Sequence, residues 1–261
     1  VYLPEQPLTL FLHLYNQTKQ IDNMKKVHTY FLVLSGLLLA FAAFAQEIDK
    51  QEVEPFKEVK IFGCLSVELV EGDKEIVEIE LKSKRVYKED IKISVSRRVL
   101  KVSLRYEGGL FSERNCDGTK AHVKVSYKTL RKIQTSGGAE VRIKSIVKGE
   151  TFEAEVNTGS TLKMEAEVGQ IWLETHTGGE LRIAGKADIQ EVKVHTGGVL
   201  RAYDLICKEA YAKATTGGVA QLFVTSLIEA YASVGGTIAL KGNPEKQIIN
   251  TALGGSMEVW R

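Results

Sequence analysis

The sequence predicts an all-β chain whose C-terminal half is a β-solenoid, one backbone wound into stacked rungs. Three observations carry this reading. A glycine-marked corner returns about every nineteen residues, apolar residues alternate with period two between corners, and no 3.6-residue stripe is long enough for a helix.

The corners read Ser136-Gly137-Gly138, Thr158-Gly159-Ser160, Thr177-Gly178-Gly179, Thr196-Gly197-Gly198, Thr216-Gly217-Gly218, Val234-Gly235-Gly236 and Leu253-Gly254-Gly255. The steps between their first glycines are 22, 19, 19, 20, 18 and 19 residues. A period near 20 residues marks stacked supersecondary units. Each such unit has a hydrophobic side that it cannot cover alone, and a neighbour above and below covers it. The glycines fit a corner that needs positive φ or close backbone approach.

After each corner comes x-apolar-x-apolar, as in Glu140-Val141-Arg142-Ile143, Thr161-Leu162-Lys163-Met164 and Glu180-Leu181-Arg182-Ile183. Such alternation is the mark of a half-buried strand. Parity then assigns faces. Phe152, Ala154, Val156 and Thr158 point inward, as do Val192, Val194 and Thr196. On this parity Thr158, Thr177, Thr196 and Thr216 form an inward ladder. Ile133 falls on the outward parity, which suggests a bulge or a junction in the first copy.

Residues 131–261 are therefore expected to form the solenoid, with seven repeats. Residues 46–130 have a different texture, with strands at Phe56–Phe62, Leu65–Val70, Ile76–Leu81, Ile91–Val95, Val99–Leu104 and Ala121–Tyr127. They are expected to form an antiparallel β cap that joins the first coils and hides the open end of the stack. Turns are expected at Glu71–Lys74 and Ser96–Arg98, and a loop at Glu107–Thr119.

Residues 24–45 read as a signal peptide. Met24-Lys25-Lys26 supplies positive charge, Tyr30–Ala45 is apolar, and Ala43-Phe44-Ala45 is a small-x-small cleavage site. The apolar run is shorter than the roughly 20 residues of a membrane span. Residues 1–23 begin with Val and precede this signal, so they are expected to be an upstream mis-start without structure. The protein is thus expected to be exported, to the periplasm, the outer surface or the medium, with no span in the mature chain. Export permits disulfides. Of Cys64, Cys116 and Cys207, the pair Cys64–Cys116 is the first to test, beside the alternative of three unpaired thiols. A net charge of +2 argues against a nucleic-acid partner.

Taken together, Phe56-Lys57-Glu58-Val59, Val67-Glu68-Leu69-Val70-Glu71-Gly72, Leu130-Arg131-Lys132-Ile133 and Ser136-Gly137-Gly138-Ala139-Glu140-Val141 resemble the head GIN domain family. Its members are called putative auto-transporter adhesins. The resemblance runs from about Phe56 to the end of the chain and implies a right-handed, single-stranded β-helix. It implies no catalytic residues. A membrane barrel is not expected after Trp260, so self-translocation is not expected either.

Stacked coils put residues about nineteen apart on neighbouring rungs, about 4.8 Å from each other. One outward row is then Arg142, Lys163, Arg182, Arg201 and Gln221. Its four cations could track an anionic polymer, or they could be an ordinary solvated face, with Glu140, Glu165 and Glu180 nearby. A second outward row is Thr135, Asn157, His176, His195, Thr215 and Ser233. Its histidine pair lacks the third and fourth ligands of a metal site, so no metal or other cofactor is expected. Catalytic signatures are missing, and the seven repeats hold only two aspartates, Asp188 and Asp204. The sequence therefore predicts a non-enzymatic, adhesin-like module that shows a flat repeat face to a polysaccharide or to an envelope or host surface protein. The alternatives are a scaffold without a dedicated ligand and, third, a β-helical polysaccharide lyase or hydrolase.

Overall fold

The computed structural model describes residues 48–82, 86–104 and 121–260. The readings of residues 1–23 and 24–45, and of the loop with Cys116, lie outside the described residues.

The chain is a β-solenoid. The strands β10 (Val147–Val156), β11 (Thr161–Thr175), β12 (Glu180–Val194), β13 (Val199–Thr215) and β14 (Val219–Ser233) stack in parallel, each on the next. Most are 15 residues or longer, so they bend around corners of the coil. The start of β14 carries β15 (Thr237–Lys241), and its end carries β16 (Lys246–Ala252). Strand β17 (Ser256–Trp260) pairs with β15. Register is kept beside the glycine corners from rung to rung, while β13 carries irregularities between Arg201 and Glu209 that shift it against its neighbours. Val141 lies beside Leu162, then come Leu181, Leu200, Ala220 and Ile238, and every one is buried. Each large aliphatic side chain buried this way contributes about 1.5–3 kcal/mol.

The N-terminal strands are wound in a different order. Strands β2 (Glu58–Phe62) and β3 (Ser66–Glu71) stack in parallel on β8 (Lys132–Ser136) and β9 (Glu140–Ile143). On their other side they stack, again in parallel, on β6 (Val99–Leu104) and β7 (Ala121–Tyr127). The rung made first in the chain thus lies between two that are made later. Antiparallel pairing is found in the remaining strands. Strand β5 (Ile91–Ser96) turns back on β6 through Arg97 and Arg98, both at positive φ. Strand β4 (Ile76–Leu81) pairs with β7, and β1 (Ile48–Glu52) pairs with β4. Alternation of apolar residues has the same period in both pairing modes, so it could not reveal which strands run parallel.

The corners correct two expectations. Thr158, Thr177, Thr196 and Thr216 are exposed, not inward. Each has φ between 45° and 52°, and the following glycine is also at positive φ. Two successive left-handed residues are the type I′ pattern, and they interrupt the parity of the strand. The inward residue before each corner is Val156, Thr175, Val194 or Ala214, all buried. The second correction is a one-residue slip in the first repeat. There the left-handed pair is Gly137-Gly138. Thr135 therefore pairs with Val156 and is buried, and Ile133 is buried beside Ala154. Neither needs a bulge.

The two corner glycines do different jobs. A Cβ on Gly178 would meet open space, and only its φ of +72° disfavours a side chain. A Cβ on Gly179 would lie 2.3 Å from the carbonyl oxygen of Val156, on the rung before. Gly178→Ala is expected to cost about 1–2 kcal/mol, the left-handed penalty. Gly179→Ala is expected to cost more, about 3 kcal/mol or above, because backbone must move. Urea unfolding of both variants checks the order, and equal losses would contradict it.

Candidate functional site

Sheet register places the four cations side by side. Arg142 pairs with Lys163, Lys163 with Arg182, Arg182 with Arg201, and Arg201 with Gln221. At one rung per step the four cations span about 14 Å. They stand on outward positions of β9, β11, β12 and β13, because their strand neighbours Val141, Leu162, Leu181 and Leu200 turn inward. Among the described residues Arg142 and Lys163 form no ion pair. The other two share Glu180. Its Oε1 accepts from Arg201 Nε at 2.7 Å and lies 3.4 Å from Arg182 Nη2. The Arg201 hydrogen bond holds the Glu180 carboxyl below its ordinary range. A shallow groove of about 300 Å³ runs along three of the four cations, lined by Arg142, Lys163, Arg182, Glu68, Glu140 and Glu180 among others. Glu68 is occupied by Lys144 at 3.0 Å.

The polar row is assembled with one change of member. Asn157, His176, His195 and Thr215 occupy successive rungs, and Ser233 follows. Ser136, one residue after Thr135, is the true neighbour of Asn157. Each of the four is the first residue of a corner turn, and its carbonyl accepts from the amide three residues on, as in Gly179 N to His176 O at 2.8 Å. The imidazoles of His176 and His195 stack with centroids 5.0 Å apart and planes 17° apart. His176 Nε2 donates to Glu174 Oε1 at 2.7 Å, and His195 Nδ1 lies 2.6 Å from Thr215 Oγ1. Asn157 donates to Glu155, whose carboxyl also accepts from Gln134. Burial works against the charge on Glu155, yet these two amides hold its carboxyl below the ordinary value. Among the described residues no group of three or more His, Cys, Asp or Glu is placed to hold a metal ion.

A third row escaped the sequence reading. Glu153, Trp172, Glu191, Tyr211 and Glu229 occupy successive rungs on the face formed by the later halves of β10–β14. The signal was present, since 172, 191 and 211 are the same nineteen or twenty residues apart.

The cysteines divide by environment. Cys64 is disulfide-bonded. Cys207 is a free, buried thiol, and burial pushes its pKa up to about 11. A thiol so far from its anion is a packing residue, not a nucleophile.

The stacked histidines carry a pH prediction. Burial, then the charge of His176, lowers His195 below the ordinary 6.5, with Glu174 opposing. Below 6.5 the unfolded chain then binds more protons than the folded one, so stability falls as pH drops through the folded value. His195→Asn is expected to flatten this fall between about pH 7 and 5. Urea midpoints measured across that range check it, and an unchanged profile in the variant would contradict it.

No helix among the described residues is long and apolar enough to cross a membrane. Solved structures with the same fold include a "putative adhesin" from Bacteroides fragilis, 15% identical, with TM-score 0.70 over 82% of this chain and 96% of the other. A second "putative adhesin", from Parabacteroides merdae, is 21% identical with TM-score 0.63 over the same shares. A "putative lipid binding protein" from Parabacteroides distasonis is 17% identical with TM-score 0.61, again over 82% and 96%. None of the curated proteins matches the chain. Residues 55–244 match the family described as "Putative auto-transporter adhesin, head GIN domain", and the chain belongs to that family.

Proposed function

We propose that the protein is an exported, non-enzymatic binding module of the cell envelope or its surroundings, and that it holds an acidic polysaccharide along Arg142, Lys163, Arg182 and Arg201. The observation that carries this is the shared register of four cations on consecutive rungs. An extended polyanion repeats its charge along a line, and the row repeats its cations along a line at a step of about 4.8 Å. A shallow groove suits a polymer better than a small molecule, which takes a deeper cavity. Arg142 and Lys163 are the free end of the row. Arg182 and Arg201 are pre-aligned by Glu180, which fixes their side chains before a ligand arrives.

The wider reading draws on the family, whose adhesin description suits an extracellular or envelope setting. The basic leader and small-x-small site at residues 24–45 point the same way. In this reading the antiparallel strands β1, β4 and β5 cap the stack. Their edge carries the ion pairs Lys50–Glu78 and Lys88–Asp49, and charge on an edge strand blocks unwanted pairing.

The test is binding of the purified protein to heparin and to polygalacturonate at low and high salt. Affinity is expected to fall with salt, and Arg182→Glu with Arg201→Glu is expected to weaken it by about a hundredfold at low salt. Salt-sensitive binding that survives the double variant would overturn the row as the site. No binding to either polymer would favour a spacer without a ligand. Release of unsaturated or reducing sugar ends would favour an enzyme.

A further inference from the structure

We propose that the acid and aromatic row on the other long face is a second site, for a neutral, β-linked, ribbon-like glycan. The site comprises Glu153, Trp172, Glu191, Tyr211 and Glu229, one per rung and in strict alternation. All of them point outward, since the intervening Leu173, Val192, Ala212 and Ala230 are buried. Trp172 is half-buried between the two carboxylate-bearing rungs, and Tyr211 is 39% exposed. A depression of about 270 Å³ surrounds Trp172, lined by Glu153, Glu174, Glu191 and Lys193.

The two rings stand two rungs apart, about 10 Å. A β-linked ribbon glycan turns the same face outward at every second sugar, so its apolar C–H faces meet Trp172 and Tyr211 in step. Stacking on the electron-rich face of an aromatic ring is what such C–H groups favour. The rung between them supplies Glu191 at the height of the intervening sugar, where hydroxyls need acceptors.

The carboxylates are placed to accept from hydroxyls. Glu153 is already bound by Lys132 at 2.5 Å, and Glu191 accepts from Gln170 Nε2 at 2.7 Å. These contacts aim the carboxylates and partly satisfy them. They leave lone pairs for hydroxyl donors, and Lys132 offsets the charge of Glu153. Lys193, beside Glu174 in the next row, adds a donor. Tyr231 stands in that same neighbouring row, with Lys213 5.6 Å above its ring.

This site does not depend on the basic row, and the two fail separately. The experiment is calorimetry of the purified protein with cellohexaose, maltohexaose and a lysine-rich peptide, at low and high salt. Cellohexaose is expected to bind with an affinity that salt does not change. Trp172→Ala is expected to weaken it at least about tenfold and Tyr211→Ala to weaken it as well. Trp172→Phe keeps a ring and is expected to retain most of the affinity, which separates loss of stacking from loss of fold. Arg182→Glu with Arg201→Glu is expected to leave it unchanged. The curved maltohexaose is expected to bind more weakly than cellohexaose. Absence of cellohexaose binding, equal binding of maltohexaose, binding of the peptide alone, or full affinity in Trp172→Ala would each overturn the proposal.

Discussion

Each rung must bring its corner within hydrogen-bonding distance of the next corner, and few residues allow that. The amide of Gly159 donates to Thr177 O at 3.1 Å, Gly178 to Thr196 O at 3.3 Å, and Gly197 to Thr216 O at 3.1 Å. These bonds require the left-handed pair, because only that turn points the glycine amide along the stack. They also require the following residue to lie almost against the previous rung. Gly198, Gly218, Gly236 and Gly255 repeat the close approach seen at Gly179, with a Cβ placed 2.2–2.7 Å from a carbonyl oxygen. Ser160 is the informative exception. It keeps a side chain at this place and uses it, since its Oγ accepts from Ala139 N at 3.1 Å.

The corner spacing decides what the surface can be. Because register holds through the glycine corners, a residue placed on an outward position on either side of them becomes part of a line, and the lines break only at the irregularities of β13. A solenoid therefore makes ladders of charge or of rings without bringing distant segments together. The same geometry keeps neighbouring outward side chains parallel, so they form extended lines along the stack. The histidine stack shows the limit of the pattern. Two imidazoles come together, yet their hydrogen bonds go to Glu174 and Thr215 on either side.

The repeat, the rung step and the basic row were legible because glycine spacing is a one-dimensional signal that becomes a neighbour list once the coils stack. Arg142, Lys163, Arg182 and Arg201 could be aligned by counting alone. The corner conformation was not legible, since a β-branched residue at positive φ is unusual and Thr177 reads as strand. The slip at Thr135 was hidden for a related reason. A doublet of glycines does not say whether its first or second member opens the turn, and only the hydrogen bonds decide. The order of the N-terminal rungs was also hidden, because placing β2 and β3 between later strands depends on long-range pairing.

The stacking claim is tested most directly by distances between spin labels on engineered cysteines along the basic row. Pairs at 142 and 182, 142 and 201, and 142 and 221 are two, three and four rungs apart. Mean separations are expected to grow steadily by about 5 Å per rung. Separations that fail to increase, or that alternate between short and long as in a meander of hairpins, would contradict it.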